Sequence, residues 1–202
     1  MASETQRVEA FSDGVFAIAI TLLVLELKAP SAGSTPLARL LIRQWPSYVA
    51  FLVSFAFIGI MWINHHRLFT HIRRSDDALL VLNLLLLLGV VAVPFPTAVL
   101  AASLGQPGER TATLLFSGTY VLIAIAFNIL WRYASSSTRR LLGPEVDATA
   151  VKQISAQYAF GPLLYAACFV LAWVSVQASL FLNAALACFF AIPPAYLRRR
   201  SR

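Results

Sequence analysis

The chain has 202 residues, of which 59% are hydrophobic and only 12% are charged, and its formal net charge is +7. Soluble globular domains carry about 25% charged residues, so this composition, with a mean hydropathy of +0.74, leaves almost no room for a soluble domain and indicates an integral membrane protein. The basic residues lie in short segments between apolar runs, where they serve as topology signals and contact anionic lipid rather than nucleic acid.

The first apolar segment carries more charge than a simple membrane helix. Its uncharged part, residues 14–25, has 12 residues, about 18 Å as a helix against a hydrocarbon core of about 30 Å. A helix over residues 5–28 is long enough to span, but it includes four charged residues near its ends: Arg7, Glu9, Asp13 and Glu26. Ionisable groups in membrane helices usually have a partner, so Asp13 is expected to accept a hydrogen bond from another helix. Alternatively, Ser12 or Asp13 caps a shorter helix that begins at that point.

The remaining apolar runs predict five further spans, at about residues 44–65, 78–102, 111–132, 153–176 and 180–197. The third span contains "VPFP", and its two prolines predict a kinked or broken end because each removes a backbone donor. The last charge-free run, residues 153–197, is too long for one span, so a turn is predicted near residues 177–183. The whole chain, 1–202, is therefore predicted to be a single all-α domain of six transmembrane helices.

The basic residues predict the orientation of these helices. With the N-terminus in the cytoplasm, 12 of the 16 basic residues face inward, as the positive-inside rule requires. An even number of spans then also places the C-terminus, which ends in "RRRSR", on the cytoplasmic side.

Neither the cysteines nor the histidines predict a catalytic or metal site. Cys168 and Cys188 lie inside apolar runs without metal-ligand spacing. His65 and His66 are adjacent, so they point about 100° apart on a helix, and His71 is five residues beyond His66. An intramembrane enzyme using these histidines would also lack a nucleophile with an evident base. We therefore predict no enzyme, no metal site and no cofactor.

One stripe of the first helix is apolar over most of its length. At about 100° per residue, Ile18, Leu22 and Leu25 fall within about 40° of one line, and Thr21 lies at its edge. Asp13 lies about 140° from that line. Periodicity alone leaves open whether the stripe packs against other helices, contacts lipid or lines a pathway.

The second predicted helix ends in a polar group of side chains: Trp62, Asn64, His65 and His66. With a cytoplasmic N-terminus, these residues lie at the same depth as Ser12 and Asp13. Indole, amide and imidazole groups can all donate hydrogen bonds, so an inter-helix polar network with the first helix is expected. The alternative is a set of interfacial anchors, since tryptophan is enriched at the membrane interface.

The segment "RVEAFSD", residues 7–13, matches the R-x-x-x-F-S-D signature of the transmembrane protein 175 family of potassium channels, and the likeness continues through "GVFAIAITLLVLEL". The end of the second helix also resembles that family. Animal members carry two six-helix repeats, whereas this chain has one and resembles the bacterial type, in which four subunits surround one pore. The resemblance implies a homotetramer in the bacterial inner membrane, with potassium and other monovalent cations as permeant species.

The resemblance also implies roles for single residues. The first helix would line the pore, Ile18 would form its narrowest ring, Leu22 and Leu25 would add apolar layers, and Thr21 is a candidate hydroxyl ring. The motif residues Arg7, Phe11, Ser12 and Asp13 would hold this helix through inter-helix hydrogen bonds. Arg7, which would repel cations if it were free, is expected to pair with Glu9 or Asp13 of its own or a neighbouring chain.

The chain contains no TVGYG loop, so carbonyl coordination of the common kind cannot provide selectivity. A hydrophobic constriction on the first helix is expected instead. A small secondary transporter of cations or small solutes is the alternative, since the "VPFP" stretch could break a helix, although no internal repeat is evident.

Overall fold

The computed structural model describes residues 4–30, 35–144, 146 and 148–191, and most of these are helical. The α-helices are α1 Glu4–Leu22, α2 Leu37–Arg43, α3 Trp45–His71, α4 Asp77–Ala92, α5 Pro94–Ser103, α6 Glu109–Ala134, α7 Ala148–Leu171 and α8 Val176–Ala191. A 3₁₀ turn, Leu23–Glu26, continues α1. Within the described residues, strand-type pairing is limited to an isolated bridge between Ile72 and Leu142. The chain is therefore all-α, as predicted.

Five helical segments are long and apolar enough to cross a membrane: Thr5–Glu26, Trp45–His71, Asp77–Ser103, Glu109–Ala134 and Val151–Leu171. The third of these combines α4 and α5. Helix α8 is apolar but shorter, at 16 residues or about 24 Å. Residues 192–197 of the predicted sixth span lie outside the described residues, so a sixth span and the membrane side of each terminus stay predictions.

Helix α1 begins well before the motif that could have capped it. Because the helix starts at Glu4, Ser12 and Asp13 lie in its interior, and the alternative in which one of them is the N-cap is wrong. A cap of that type occurs instead on α4, where the Asp76 carboxylate accepts a hydrogen bond from the Leu79 N–H at 2.9 Å.

The break between α4 and α5 is a kink rather than an unwound stretch. Helix α4 ends at Ala92 and α5 begins at Pro94, but Val93 between them keeps helical angles, φ −53° and ψ −40°. The Val93 carbonyl accepts a hydrogen bond from the Thr97 hydroxyl at 2.8 Å, and this hydroxyl also lies 2.7 Å from the Ser54 hydroxyl of α3. At the break predicted from the two prolines, the Val93 carbonyl and the Thr97 hydroxyl are therefore paired within the protein.

Helix α7 contains Pro162 in its interior. A proline cannot donate to the carbonyl four residues before it, which here belongs to Tyr158. The Asn128 side chain of α6 donates to that carbonyl at 2.8 Å. The neighbouring helix therefore supplies the donor that the proline removes.

Two helix ends and one additional helix differ from the sequence-based expectation. The turn predicted near residues 177–183 is absent, because α8 already begins at Val176, where the Ser175 hydroxyl accepts from the Ala178 N–H at 3.2 Å. Helix α3 extends beyond residue 65 to His71, whose carbonyl accepts from the Gly143 N–H at 3.0 Å. The short helix α2 lies in what was expected to be an outer loop.

The core centres on the buried face of α6. Phe116, Tyr120, Phe127 and Trp131 are all buried, and the Tyr120 ring stacks on Phe57 of α3 with centroids 4.1 Å apart. Helix α1 packs on the side of this core formed by α3 and α4, which leaves its other face uncovered in the single chain.

Candidate functional site

Helix α1 has two faces of opposite exposure. Ser12, Phe16 and Ala19 are buried on the side that packs on α3 and α4, with Ala19 at 0% exposure, and Leu23 of the following 3₁₀ turn is buried as well. The opposite face carries the predicted stripe, and its apolar side chains are open: Phe11 is 58% exposed, Ile18 60%, Leu22 38% and Leu25 68%. In a membrane such a stripe is covered either by lipid tails or by another subunit, and the single chain leaves it open.

The 3₁₀ turn at the end of α1 affects the C-terminal part of this stripe. Side chains three residues apart are nearly in line in a 3₁₀ helix, whereas they are offset by about 60° in an α-helix. Leu22 and Leu25 are therefore brought closer to one line along the helix axis. Thr21 is also exposed, and its hydroxyl donates to the Ile18 carbonyl at 2.9 Å.

Buried polar side chains connect α1 to α3 and α4. The Asn83 amide of α4 donates to the Ser12 hydroxyl at 3.0 Å, and Ser12 donates to the Val8 carbonyl at 2.8 Å. The Asn83 carbonyl oxygen lies 2.9 Å from His65 Nε2 of α3. Since this oxygen can only accept, His65 Nε2 must carry the proton. His65, Asn83 and Ser12 are almost wholly buried, so their mutual bonds fix the three helices together.

A second pair of bonds lies at the edge of the same contact. The Trp62 indole N–H donates to the Asp13 carboxylate at 2.8 Å, and His66 Nδ1 donates to the Glu9 carboxylate at 2.6 Å. Glu9 and Asp13 are four residues apart on α1, and their partners on α3 are also four residues apart, so each pair lies on one face of its helix. The later residue of α1 bonds the earlier residue of α3, so the two helices run antiparallel. His66 is 54% exposed, which places this pair at the rim.

The structure separates Asn64 and Arg7 from this network. The Asn64 side chain lines a different pocket, with Gln157 of α7. Arg7 is exposed and shares a crevice with Asp76 and Asp77. Pairing of Arg7 with an acidic residue of α1 does not occur among the described residues, because Glu9 and Asp13 already bind α3; pairing with a neighbouring chain stays a prediction.

Two members of the contact were not predicted from the sequence. Glu9 is one of the charged helix-end residues expected to have a partner, but its bond to His66 was not predicted, and Asn83 was not predicted to take part. A lone amide in the leucine-rich run "VLNLLLLL" is itself a signal, because a polar side chain in a membrane helix usually has a specific partner.

The loop before α4 contains a further charged contact. The Asp76 carboxylate accepts hydrogen bonds from the Leu79 N–H and from the Tyr133 hydroxyl, the latter at 2.7 Å. These two bonds, the first with the larger effect, stabilise the ionised carboxylate and hold the pKa of Asp76 below its ordinary value. Among the described residues, no group of three or more His, Cys, Asp or Glu side chains could hold a metal ion.

Comparison with known proteins assigns this arrangement to a class and then to a family. The model of the family described as endosomal/lysosomal potassium channel TMEM175 matches residues 7–94. A potassium channel of Chamaesiphon minutus is 49% identical over 193 residues, which cover 94% of this chain and 95% of the relative. A potassium channel of Streptomyces collinus is 46% identical over 190 residues, 93% and 92% of the two chains.

A solved structure agrees with these relatives. The crystal structure of a lysosomal potassium-selective channel TMEM175 homolog from Chamaesiphon minutus superposes with a TM-score of 0.85 at 47% identity, covering 94% of this chain and 97% of that one. The fold and the relatives thus define an α-helical membrane channel protein. The chain belongs to the TMEM175 family. The predicted family is confirmed, as is the prediction that the chain is not an enzyme, since the family and its close members are channels.

Proposed function

We propose that this chain forms a potassium-selective channel in a bacterial inner membrane, as a homotetramer with six spans per subunit and both termini in the cytoplasm. The names of the two relatives and of the solved homologue support the potassium channel. Monovalent cations are the permeant species, and anionic lipids contact the basic cytoplasmic side.

The proposal rests on one observation: α1 has an exposed apolar face, and its other face is bonded to α3 and α4. The exposed stripe with Ile18 lies opposite a face held by the buried bonds of Ser12 and the rim bond of Asp13. Those bonds fix the rotation of α1 about its own axis. A ring of identical side chains around a pore needs such a fixed rotation, because one residue of slip turns the ring by about 100°.

In this proposal, four Ile18 side chains form the narrowest ring. Such a constriction gates by dewetting, and a passing ion loses part of its hydration shell without replacement ligands. Potassium holds its water less tightly than sodium, so the barrier is lower for potassium. Leu22 and Leu25 add apolar layers on the outer side of the ring, and Thr21 provides a hydroxyl between them.

Arg7 lies at the cytoplasmic end of the same face. Its crevice contains Asp76 and Asp77, whose negative charges attract the guanidinium away from the stripe. In the tetramer, we expect Arg7 to pair with an acidic residue of a neighbouring subunit, which lowers the electrostatic barrier to cations at the inner mouth.

The test is the reversal potential across planar bilayers that contain the purified protein, with potassium on one side and sodium on the other. Wild type is expected to give a potential displaced toward the potassium equilibrium value. Ile18→Asn should reduce that displacement strongly, because a polar ring keeps water in the constriction.

Ile129→Asn is the matched control, since Ile129 is also exposed, at 46%, but lies on α6. It should leave the potential unchanged. An unchanged potential in Ile18→Asn, with conducting protein, would show that Ile18 is not the selectivity ring.

The transporter alternative gains no support from the kink in the third span. Transporter binding sites use helices that are unwound near the membrane midplane, whereas Val93 stays helical. Flux that saturates and depends on a driving-ion gradient, without single-channel current, would nevertheless favour a transporter.

A further inference from the structure

A short helix joins the first two segments that can cross a membrane. Helix α2, Leu37–Arg43, lies between the segments Thr5–Glu26 and Trp45–His71. None of its seven residues is buried, and the exposed fractions of Leu37 and Ile42 are 61% and 72%. Because a connection between two spans lies where they leave the bilayer, α2 is at a membrane–water boundary and has an open surface there.

The surface of α2 has an apolar part and a basic part. At about 100° per residue, Arg39 and Arg43 lie about 40° apart, in the middle of an arc of about 160°. The remaining circumference carries the five apolar residues of the helix: Leu37, Ala38, Leu40, Leu41 and Ile42. Trp45, the first residue of α3, is 60% exposed next to this helix. Helices with aliphatic and aromatic side chains on one face and basic side chains on the other lie in the plane of the membrane interface.

A hydrogen bond holds the end of α2 close to the end of the first span. The side-chain amide of Gln44, the residue after α2, donates to the Lys28 carbonyl at 2.9 Å. Lys28 is itself exposed, so it adds a third basic residue to this boundary. Glu26 is the one acidic residue between positions 26 and 45 of the sequence, so the connecting segment has a net positive charge.

The protein offers few acidic partners to the two arginines of α2. Neither Arg39 nor Arg43 forms an ion pair within the described part of the chain. Because successive spans alternate in direction, the start of α6 lies on the same side of the membrane as α2, and its Glu109 already accepts from the Gly105 N–H at 2.9 Å. A second copy of the chain therefore brings little negative charge to this boundary, whereas an anionic lipid brings a phosphate group to each arginine.

We propose that α2 is a lipid-binding surface, with its apolar side chains among the acyl chains of the adjacent leaflet and Arg39 and Arg43 bound to the phosphate groups of anionic lipids. Arginine suits this position because its apolar stem covers apolar surface while the guanidinium stays in the polar layer. This role is independent of ion selectivity and of Ile18, so its failure would leave the potassium channel proposal intact.

The test measures which lipids surround α2 in vesicles that contain the full-length protein. In a background with Cys168 and Cys188 replaced by alanine, Leu41→Cys is labelled with the fluorophore NBD. The vesicles contain phosphatidylcholine and phosphatidylglycerol, with a nitroxide on the acyl chains of one of the two lipids at a time. A nitroxide quenches only a nearby fluorophore, so strong quenching is expected at Leu41→Cys. Gln106→Cys, in the exposed loop before α6, is the control and should show little quenching.

The bound headgroup is identified by comparing the two nitroxide lipids at equal mole fraction. The quenching should correspond to a preference of about fivefold for phosphatidylglycerol, as expected for the attraction of one arginine. Arg39→Gln combined with Arg43→Gln should abolish this preference, while quenching by phosphatidylcholine persists and shows that α2 still lies in the membrane. Arg39→Lys combined with Arg43→Lys keeps both charges and should keep most of the preference. Arg110→Gln, which removes an exposed arginine at the start of α6, is the matched control and should leave the preference unchanged.

Two results would overturn the proposal. Absence of quenching at Leu41→Cys would show that water or a neighbouring subunit, rather than lipid, covers the apolar part of α2. A preference for phosphatidylglycerol that persists in the double glutamine variant, or that Arg110→Gln removes equally, would show that Arg39 and Arg43 do not bind the anionic headgroup.

Discussion

At the residue scale, the position of α1 depends on a few side chains that share buried hydrogen bonds. His65 and Asn83 come from α3 and α4, and Ser12 joins them to α1. The bonds are worth more inside the protein than in water because no solvent can replace a lost partner. A substitution at one of these residues therefore leaves a buried polar group of another without its hydrogen-bond partner, which destabilises the folded protein.

Asn83→Leu is expected to lower the free energy of unfolding by about 1–3 kcal/mol, because it leaves the His65 ring and the Ser12 hydroxyl without their partner. Equilibrium unfolding by SDS in mixed micelles measures this change. Asn64→Leu is the matched control, since the Asn64 side chain makes no hydrogen bond within the described residues, and it should cost much less. Equal losses in the two variants would contradict the role of the Ser12–Asn83–His65 chain.

Asp76→Ala is expected to lower the unfolding free energy by about 1 kcal/mol at pH 7, since it removes the N-cap of α4. The pKa of Asp76 is lowered in the folded protein, so its contribution is complete above the ordinary aspartate value of about 3.9 and disappears as pH falls through the lowered pKa. The difference between wild type and variant should therefore shrink in acid.

The same unfolding experiment with Asp77→Ala provides the control for the cap. Asp77 is exposed in the first turn of α4, where a carboxylate interacts only weakly with the helix dipole. A cost for Asp77→Ala as large as that for Asp76→Ala would show that the cap is not the cause.

Part of the residue-scale arrangement follows from the sequence and part does not. The wheel separates Asp13 from the Ile18 stripe, and the structure has these residues on different faces. The sequence could not exclude Glu9 and Asp13 as partners of Arg7, because both lie within six residues of it. The packing of α1 on α3 determines that they bind His66 and Trp62 instead.

At the element scale, the proline positions show how neighbouring helices compensate for lost backbone bonds. Pro162 deprives the Tyr158 carbonyl of its helical donor, and the Asn128 amide of α6 replaces it. This arrangement predicts an energetic coupling between two residues that are 34 positions apart in the sequence.

A double-mutant cycle measures that coupling. Asn128→Ala should destabilise the protein by about 1–2 kcal/mol, because the Tyr158 carbonyl loses its donor. In a Pro162→Ala background the new alanine N–H can donate to that carbonyl, so Asn128→Ala should cost clearly less. Additive effects in SDS unfolding would show that the Asn128 bond does not compensate for the proline.

Helix positions could be predicted where charges and prolines interrupt the apolar runs, and less well elsewhere. The kink before Pro94 follows from the prolines. The turn between α7 and α8 was misplaced because residues 153–197 carry no charge, and the useful signal was the capping propensity of Ser175. The extension of α3 to His71 depends on the contact of its end with Gly143, which local sequence does not reveal.

At the scale of the whole molecule, the apolar face of α1 is left uncovered by the single chain. The stripe of Ile18, Leu22 and Leu25 is exposed, and only an assembly can turn such a face into a pore. Neither composition nor periodicity could distinguish a pore surface from a lipid surface, because both are apolar. The tetramer therefore rests on the family resemblance, and we propose that its pore forms on the exposed face of α1.

The most direct test of the account asks whether water and ions reach this face. In a background with Cys168 and Cys188 replaced by alanine, Leu22→Cys protein is recorded in planar bilayers with potassium, and silver ions are added to both sides. Silver reaches a thiol only through water, and a silver-bound thiolate in a narrow pore blocks current. Ile129→Cys, on an exposed face of α6, is the control.

Rapid and complete block of Leu22→Cys is expected, with unchanged current in Ile129→Cys and in the cysteine-free background. Persistent potassium current in Leu22→Cys would contradict a pore lined by the exposed face of α1.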